Sequence, residues 1–383
     1  MRRALATLVV AGGAAFPTYA ETLIVGPEAP AMTIAQAAER ARDGDVIALL
    51  SGDYKGQAAV LVDRKLTLRG VGNRPVIRGE GKVAERRALI VVRGGEVILE
   101  NIEFRGSRAA DADGAGVRLE GGTLTVRHCA FFDNENGIFA ANVPSAELTI
   151  VDSEFGRAPR VEGGLHHLLN VGRIARLSVR GSRFHSGFEG HLIKTRAREN
   201  RITYNLINDG PEGQASYELD IALGGVAWVI GNVIGQSAGT QNPVVLAYGT
   251  EGSAWDKNAL YVSHNTFVGE PWPPSWFLRV FEDKLPAATD VRAVNNLTVG
   301  LGVFSPGTSG DFAGNHWLLR RRSLQSYWSL EFGLPFDSDL RGQGVDPGMG
   351  GGESLAPTAE FVLPVGTRAI DKPAAWSPGA IQK

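Results

Sequence analysis

Residues 202–234 read ITYNLINDGPEGQASYELDIALGGVAWVIGNVI. The segment opens on ITYNLI (202–207) and closes on VIGNVI (229–234), the same six-residue phrase one period apart. Its pattern is an apolar residue, two variable ones, Asn or another small residue, one more variable residue, then Phe or Ile. The phrase recurs as LENIEF (99–104), VRHCAF (126–131), IVDSEF (150–155), VRGSRF (179–184), VSHNTF (262–267), AVNNLT (293–298) and FAGNHW (312–317). Its fourth position falls at 102, 129, 153, 182, 205, 232, 265, 296 and 315, a spacing of 19 to 33 residues. That period accommodates one coil of three short strands and three turns, and a fixed period is the mark of a solenoid. Asn suits the repeated bend because it tolerates tight backbone turns and its amide can satisfy buried peptide groups. Asn205, Asn232, Asn265, Asn296 and Asn315 are therefore candidates for an internal ladder. A leucine-rich repeat would need an LxxLxL signature, and an antiparallel sandwich has no need of so regular a period.

The flanks agree. In TIAQAAERARDGD (33–45) Thr33 is placed to cap a short helix with Ile34, Ala37, Ala38 and Ala41 on one face. Strands VIALL, AAVLV and KLTLRG follow. A helix at the start of a strand stack hides the open core of the first coil. Residues 21–80 read as cap and first coils, 81–317 as repeat coils, and 318–383 as an irregular C-terminal segment and cap, all within one β-helix domain. Pro271-Trp272-Pro273-Pro274-Ser275-Trp276 reads as a loop, and RRRSLQSYW (320–328) as a short helix on the stack.

Residues 1–20 form a separate unit. A basic start, an apolar run too short for a membrane span, and Thr18-Tyr19-Ala20 predict a secretory signal peptide cleaved after Ala20. This implies export to a bacterial periplasm or beyond, with no membrane span in the rest of the chain. With 43% hydrophobic and 21% charged residues and a net charge of -2, the composition is globular and lacks the basic excess of a nucleic-acid binder. Cys129, the single cysteine, sits between apolar residues and reads as a buried structural thiol.

The chemistry concentrates at 187–225. Alternation along a strand points Ile193 and Thr195 inward, and Lys194 and Arg196 outward. One coil on, Tyr217, Leu219 and Ile221 take the inward set, and Glu218 and Asp220 the outward one. Spacings of 26 to 28 residues then stack His167, Lys194 with Arg196, Asp220 with Glu218, and Tyr248 in a column about 4.8 Å apart per step. Glu251 follows in the turn after Tyr248. His191 lies within the stretch, and His185 belongs either to the site or to the turn before it. His166 and His167 point oppositely on a strand, which disfavours shared ligation of a metal. His128, His264 and His316 fall in repeat bends and read as structural.

A column of basic, acidic and aromatic groups fits an acidic polysaccharide. β-Elimination of a uronic acid needs a group that neutralises the carboxylate, a base for the C5 proton and an acid for the oxygen leaving C4. An Arg196 charge beside Lys194 favours the neutral amine that a base requires. The bland alternative is a solvated face of ion pairs.

The repeat resembles the right-handed parallel β-helices of the pectate-lyase type over almost the whole chain beyond residue 20. TIAQAAERARDGDVIALLSGDYKG (33–56) resembles their first coil, and FVLPVGTRAID (361–371) and SPGAIQK (377–383) resemble their ending. The implied fold is all-β, a right-handed parallel β-helix with a short N-terminal capping helix. The central stretch is similar to calcium-assisted lyases of the chondroitinase B and alginate lyase type. Glu189, Leu192-Ile193, Lys194-Thr195 and Tyr204-Asn205 follow the order of their motif. By that likeness Lys194 takes the place of the base and Glu189 that of one calcium-binding acid. The family's second acid falls at Gly187, and its Arg-His-Gly at Ala222-Leu223-Gly224. Arg196, His191 or Tyr248 then stands in for the missing arginine. The acid pairs of β-helix hydrolases are absent. The expected activity is a polysaccharide lyase with Lys194, Arg196 and His191 catalytic, and with His167, His185, Glu218, Asp220, Tyr248 and Glu251 binding sugar. The alternatives are a non-catalytic carbohydrate-binding or cell-envelope β-helix, and a C5-epimerase.

Overall fold

The computed structural model describes residues 20–28, 30–161, 163–270, 272, 274–326 and 329–382. Of the leader expected over 1–20, all but Ala20 lies outside the described residues. So do Pro271 and Pro273 of the tryptophan insert and Tyr327-Trp328.

Three parallel sheets of 12, 11 and 10 strands wind about one core as a right-handed β-helix. Each coil visits the sheets in a fixed order. Ile193–Thr195 lies in the third (10-stranded) sheet, Glu199–Thr203 in the first (12-stranded) and Leu206–Asn208 in the second (11-stranded); Leu219–Ile221 then returns to the third. The bend from first to second sheet is the repeated phrase. Its third residue takes a positive φ at Asn101, His128, Asp152, Tyr204, His264 and Asn295, and is glycine at 181, 231 and 314, which turns the chain sharply. Its fourth residue builds the ladder. The backbone N–H groups of Cys129, Ser153, Ser182, Asn205, Asn232, Asn265 and Asn296 each donate to the side-chain oxygen of the next coil, ending on Asn315. The Asn amides also donate back to carbonyls such as Val179 O and Ile202 O. All five predicted ladder asparagines take part. Cys129 belongs to the same ladder, and burial pushes its thiol up to about 12.

In the first four copies of the phrase the sixth residue is a phenylalanine buried in the core, whereas Trp317 in the last copy is exposed. Phe104, Phe131, Phe155 and Phe184 stack with centroids 4.9, 4.5 and 4.7 Å apart. The helix Ile34–Arg40 carries a capping box between Thr33 and Gln36 and seats Ile34, Ala37 and Ala38 on the open end. The tryptophan insert is shorter than a loop reading of 271–276 implies, since Ser275–Val280 is a strand and Trp276 pairs with Val244. The helix expected at 320–328 is a single 3-10 turn, Arg321–Ser323. The C-terminal segment lies against the first sheet, where Trp228 Nε1 donates to Gly350 O.

Candidate functional site

On the third sheet the residues between inward pairs form an outward column. Strand register places Arg118, Phe139, Asn170, Lys194, Asp220, Ala247 and Arg279 side by side on successive coils. Ile193, Thr195, Leu219 and Ile221 are buried beneath it, as alternation requires. Lys194 and Asp220 are direct neighbours, as their spacing predicted. Two other members differ. Asn170, not His167, pairs with Lys194, because the turn between these coils is shorter than the spacing assumed. Tyr248 pairs with Ile221 and points into the core, where its hydroxyl donates to Gly225 O at 2.5 Å. Ala247 takes its place outside.

Glu251 reaches back from the turn after Tyr248, where Gly249 and Gly252 hold positive φ. Its carboxylate is shared by two cations. Lys194 Nζ lies 2.9 Å from Oε1. Arg196 donates Nε to Oε2 at 2.6 Å and Nη2 to Oε1 at 2.7 Å. Burial pushes the Glu251 carboxyl up, but Arg196 and Lys194 outweigh it and hold it at about 2. Trp255 Nε1 donates to Arg196 O at 3.1 Å and pins the strand end.

A second column runs beside the first. His167, His191 and Tyr217 each stand two residues before a strand of this sheet, at Leu169, Ile193 and Leu219. Leu168 N–H donates to His191 O and Leu192 N–H to Tyr217 O, which holds them in step. Adjacent rings meet edge-on, 4.7 and 4.8 Å apart. Burial, then the charges of Lys194 and Arg196, pushes His167 down to about 3. Burial, then His167, Lys194 and Arg196, pushes His191 well below its ordinary value. Both rings are therefore neutral at neutral pH. His167 Nδ1 accepts the His191 backbone N–H at 2.9 Å, which leaves its proton on Nε2. His191 Nδ1 lies 3.4 Å from Asp220 Oδ2 without good hydrogen-bond alignment. Burial raises Asp220 to about 6, against a 2.8 Å bond from Thr250 Oγ1 and the Lys194 charge.

Glu218 does not face outward. The chain bends between Tyr217 and Leu219, so Tyr217 stays half-buried at the surface and Glu218 is fully buried. One residue before the register partners Ile193, Leu219 and Leu246 stand Leu192, Glu218 and Val245; the first and last are fully buried core residues. Gln236 approaches the Glu218 carboxyl without a well-formed hydrogen bond. Burial, with the charge of Asp209, raises Glu218 well above its ordinary value, so it sits in the core as a neutral acid and cannot meet a glycan at the surface. His185 lies on the second sheet, where Nε2 is 3.1 Å from Glu154 Oε1, and so belongs to another face. Glu189 sits in the turn before Lys194 with φ of 55°, and its Oε2 accepts Gly163 N–H at 2.9 Å.

Calcium takes roughly six to eight oxygen ligands. Position 187 is a glycine, Glu189 is engaged by backbone, and among the described residues no three His, Cys, Asp or Glu side chains converge. The residues present do not fit the ion.

Alternation alone missed Tyr217, Asn170, Arg118 and Phe139. The signal for Tyr217 was the constant two-residue offset of His167, His191 and Tyr217 from their strands, which marks a bend rather than a continued strand.

No family model matches the chain, and no curated protein matches it. Among solved structures, the crystal structure of pectate lyase Pel9A is similar, with a TM-score of 0.67 over 96% of this chain and 97% of that one at 13% identity. At that identity the likeness is one of fold: the chain is a right-handed parallel β-helix.

Proposed function

We propose that this protein is an exported polysaccharide lyase that cleaves an anionic, uronic-acid-containing polysaccharide by β-elimination on the outer face of the third sheet. One observation carries the reading: Lys194 and Arg196 already clamp a carboxylate, that of Glu251, at the centre of the column. A uronate carboxylate has the same chemistry. The substrate displaces Glu251, and Arg196 takes the uronate and neutralises it, which acidifies the proton at C5. The Lys194 amine then removes the C5 proton, the C4–O bond breaks, and the electron pair forms the C4–C5 double bond. The leaving oxygen takes its proton from the Tyr217 hydroxyl, which burial keeps protonated. The fold shared with a pectate lyase supports the substrate class at the level of architecture.

A non-catalytic binding role is the second reading, favoured by the same ion pairs, because Glu251 engages both cations at once. The test is to incubate the protein with a panel of uronic-acid polymers in heavy water and follow ultraviolet absorbance and product mass. Unsaturated products whose masses sum to that of the substrate support the lyase. Binding with neither cleavage nor exchange supports the binding module, and deuterium at C5 without cleavage supports an epimerase.

A further inference from the structure

We propose that the cleft between Arg118 and Arg196 is a second anion subsite, which takes the carboxylate of another acidic sugar of the same chain. The proposal rests on the lyase reading for its ligand and goes beyond it in naming what lies upstream of the reacting residue. The cleft encloses ≈ 500 Å³. Arg118, Phe139 and Asn170 line it from the outward column, with Asn142, Gly172 and Arg196 at its side. Gly172 lets the backbone pass close at its side: a Cβ there would stand 2.7 Å from Asn142 Oδ1 and 2.8 Å from Ala140 O.

Arg118 is the built part. It is 8% exposed, and its guanidinium carbon lies 4.2 Å over the Phe139 ring. Its Nε donates to Glu120 Oε1 at 2.9 Å. Its Nη1 is buried and, among the described residues, has no hydrogen-bond partner of its own, being held only in a long ion pair with Asp113 Oδ2 at 3.6 Å. A buried guanidinium N–H left unmade is costly, and a carboxylate is the group that matches it. Asn142 adds a second donor. Its Oδ1 is held by Arg173 N–H at 2.8 Å, which turns the amide nitrogen away from that bond, and among the described residues this nitrogen has no partner. At the far end Arg196 Nη1 lies 3.5 Å from Asn170 Oδ1, so the cleft runs directly into the Lys194 site. From Arg118 to Lys194 is three strand steps, about 14 Å along the groove. A polymer with acidic sugars at both points is held twice, and an oligomer too short to span the distance is held once.

The experiment compares the parent protein with Arg118→Gln and Asn142→Asp, the latter keeping the acceptor for Arg173 while replacing the donor with a repelling oxygen. Affinity for a long polyuronate and for a short oligouronide is measured by titration calorimetry at fixed salt, alongside KM and kcat. The expected result is a loss of about tenfold in affinity for the long chain in both variants, with kcat and short-oligomer binding unchanged. Equal affinity of parent and variants for the long chain overturns the subsite, as does an equal loss on long and short chains. The calorimetric readout does not depend on cleavage, so a parent that binds polyuronate without cleaving it refutes the lyase and leaves the subsite to be judged on affinity alone. Asn142→Asp decides the matter if Arg118→Gln does not fold.

Discussion

Lys194 and Asp220 are register partners on adjacent strands of the third sheet, although one full coil of chain separates them. Glu251 then reaches back across the Asp220 coil to place its carboxylate 2.9 Å from Lys194 Nζ. A lysine, a buried acid and the carboxylate paired with that lysine are thereby gathered from three coils onto one surface.

Replacing Glu251 with Gln keeps the shape of the clamp and removes the competing charge. Affinity for an anionic polymer should rise about tenfold, read by titration calorimetry at fixed ionic strength. The pairs are partly solvent-exposed, so thermal stability should change by no more than about 1 kcal/mol. Unchanged or weaker binding would count against displacement of Glu251 by the substrate.

The asparagine ladder predicts a graded stability effect. In Asn232→Ala the Asn205 N–H loses its acceptor and the Ile202 carbonyl its donor, both fully inside the solenoid. The loss should be about 1–3 kcal/mol by denaturant titration. Asn315 sits at the less buried end, and its replacement should cost less.

Phe131 lies between Phe104 and Phe155 in the core stack. Phe131→Ala should destabilise by about 3–5 kcal/mol, since both neighbours lose a face and the rigid coils cannot close the gap. A loss below about 1 kcal/mol would mean that the stack repacks.

Glu218 gives a pH test with a definite sign. A raised carboxyl pKa means that the folded state holds a proton the unfolded chain has released, so stability falls as pH rises between the unfolded and folded values. Asp209, raised to about 6 by burial, acts the same way, losing about 3 kcal/mol as pH climbs from its ordinary value of 3.8. Buried His167 and His264, both pushed down to about 3, act oppositely and lose stability as pH falls below 6.5. Glu218→Gln removes only the first effect at its site. Its melting temperature relative to the parent should therefore rise from about pH 5 to about pH 8. A constant difference would show that Glu218 is not held protonated.

Much of the fold was legible because the bend imposes its own chemistry. A left-handed residue followed by a side chain that bonds to the next coil permits few residue types, so the phrase survives at every turn from Cys129 to Asn315. The capping helix was legible for the same reason, through Thr33 and its apolar face. The site was legible only where strands continue straight. Lys194 over Asp220 followed from alternation, but Glu218 and Tyr217 exchanged faces because the chain bends before Leu219, and alternation does not carry across a bend. Tyr248 failed through a one-residue slip in assumed register, which sends a side chain to the opposite face. Arg118 and Phe139 were invisible because nothing local marks them, and only stacking on Asn170 brings them to the groove.

Formation of unsaturated product by the parent and by Lys194→Ala, with polymer binding measured on both, bears most directly on the account. The parent should release unsaturated oligosaccharide from a uronic-acid polymer. Lys194→Ala should bind the same polymer yet form product about 10²–10⁴-fold more slowly. A Lys194→Ala protein that cleaves at the parent's rate would contradict the assignment.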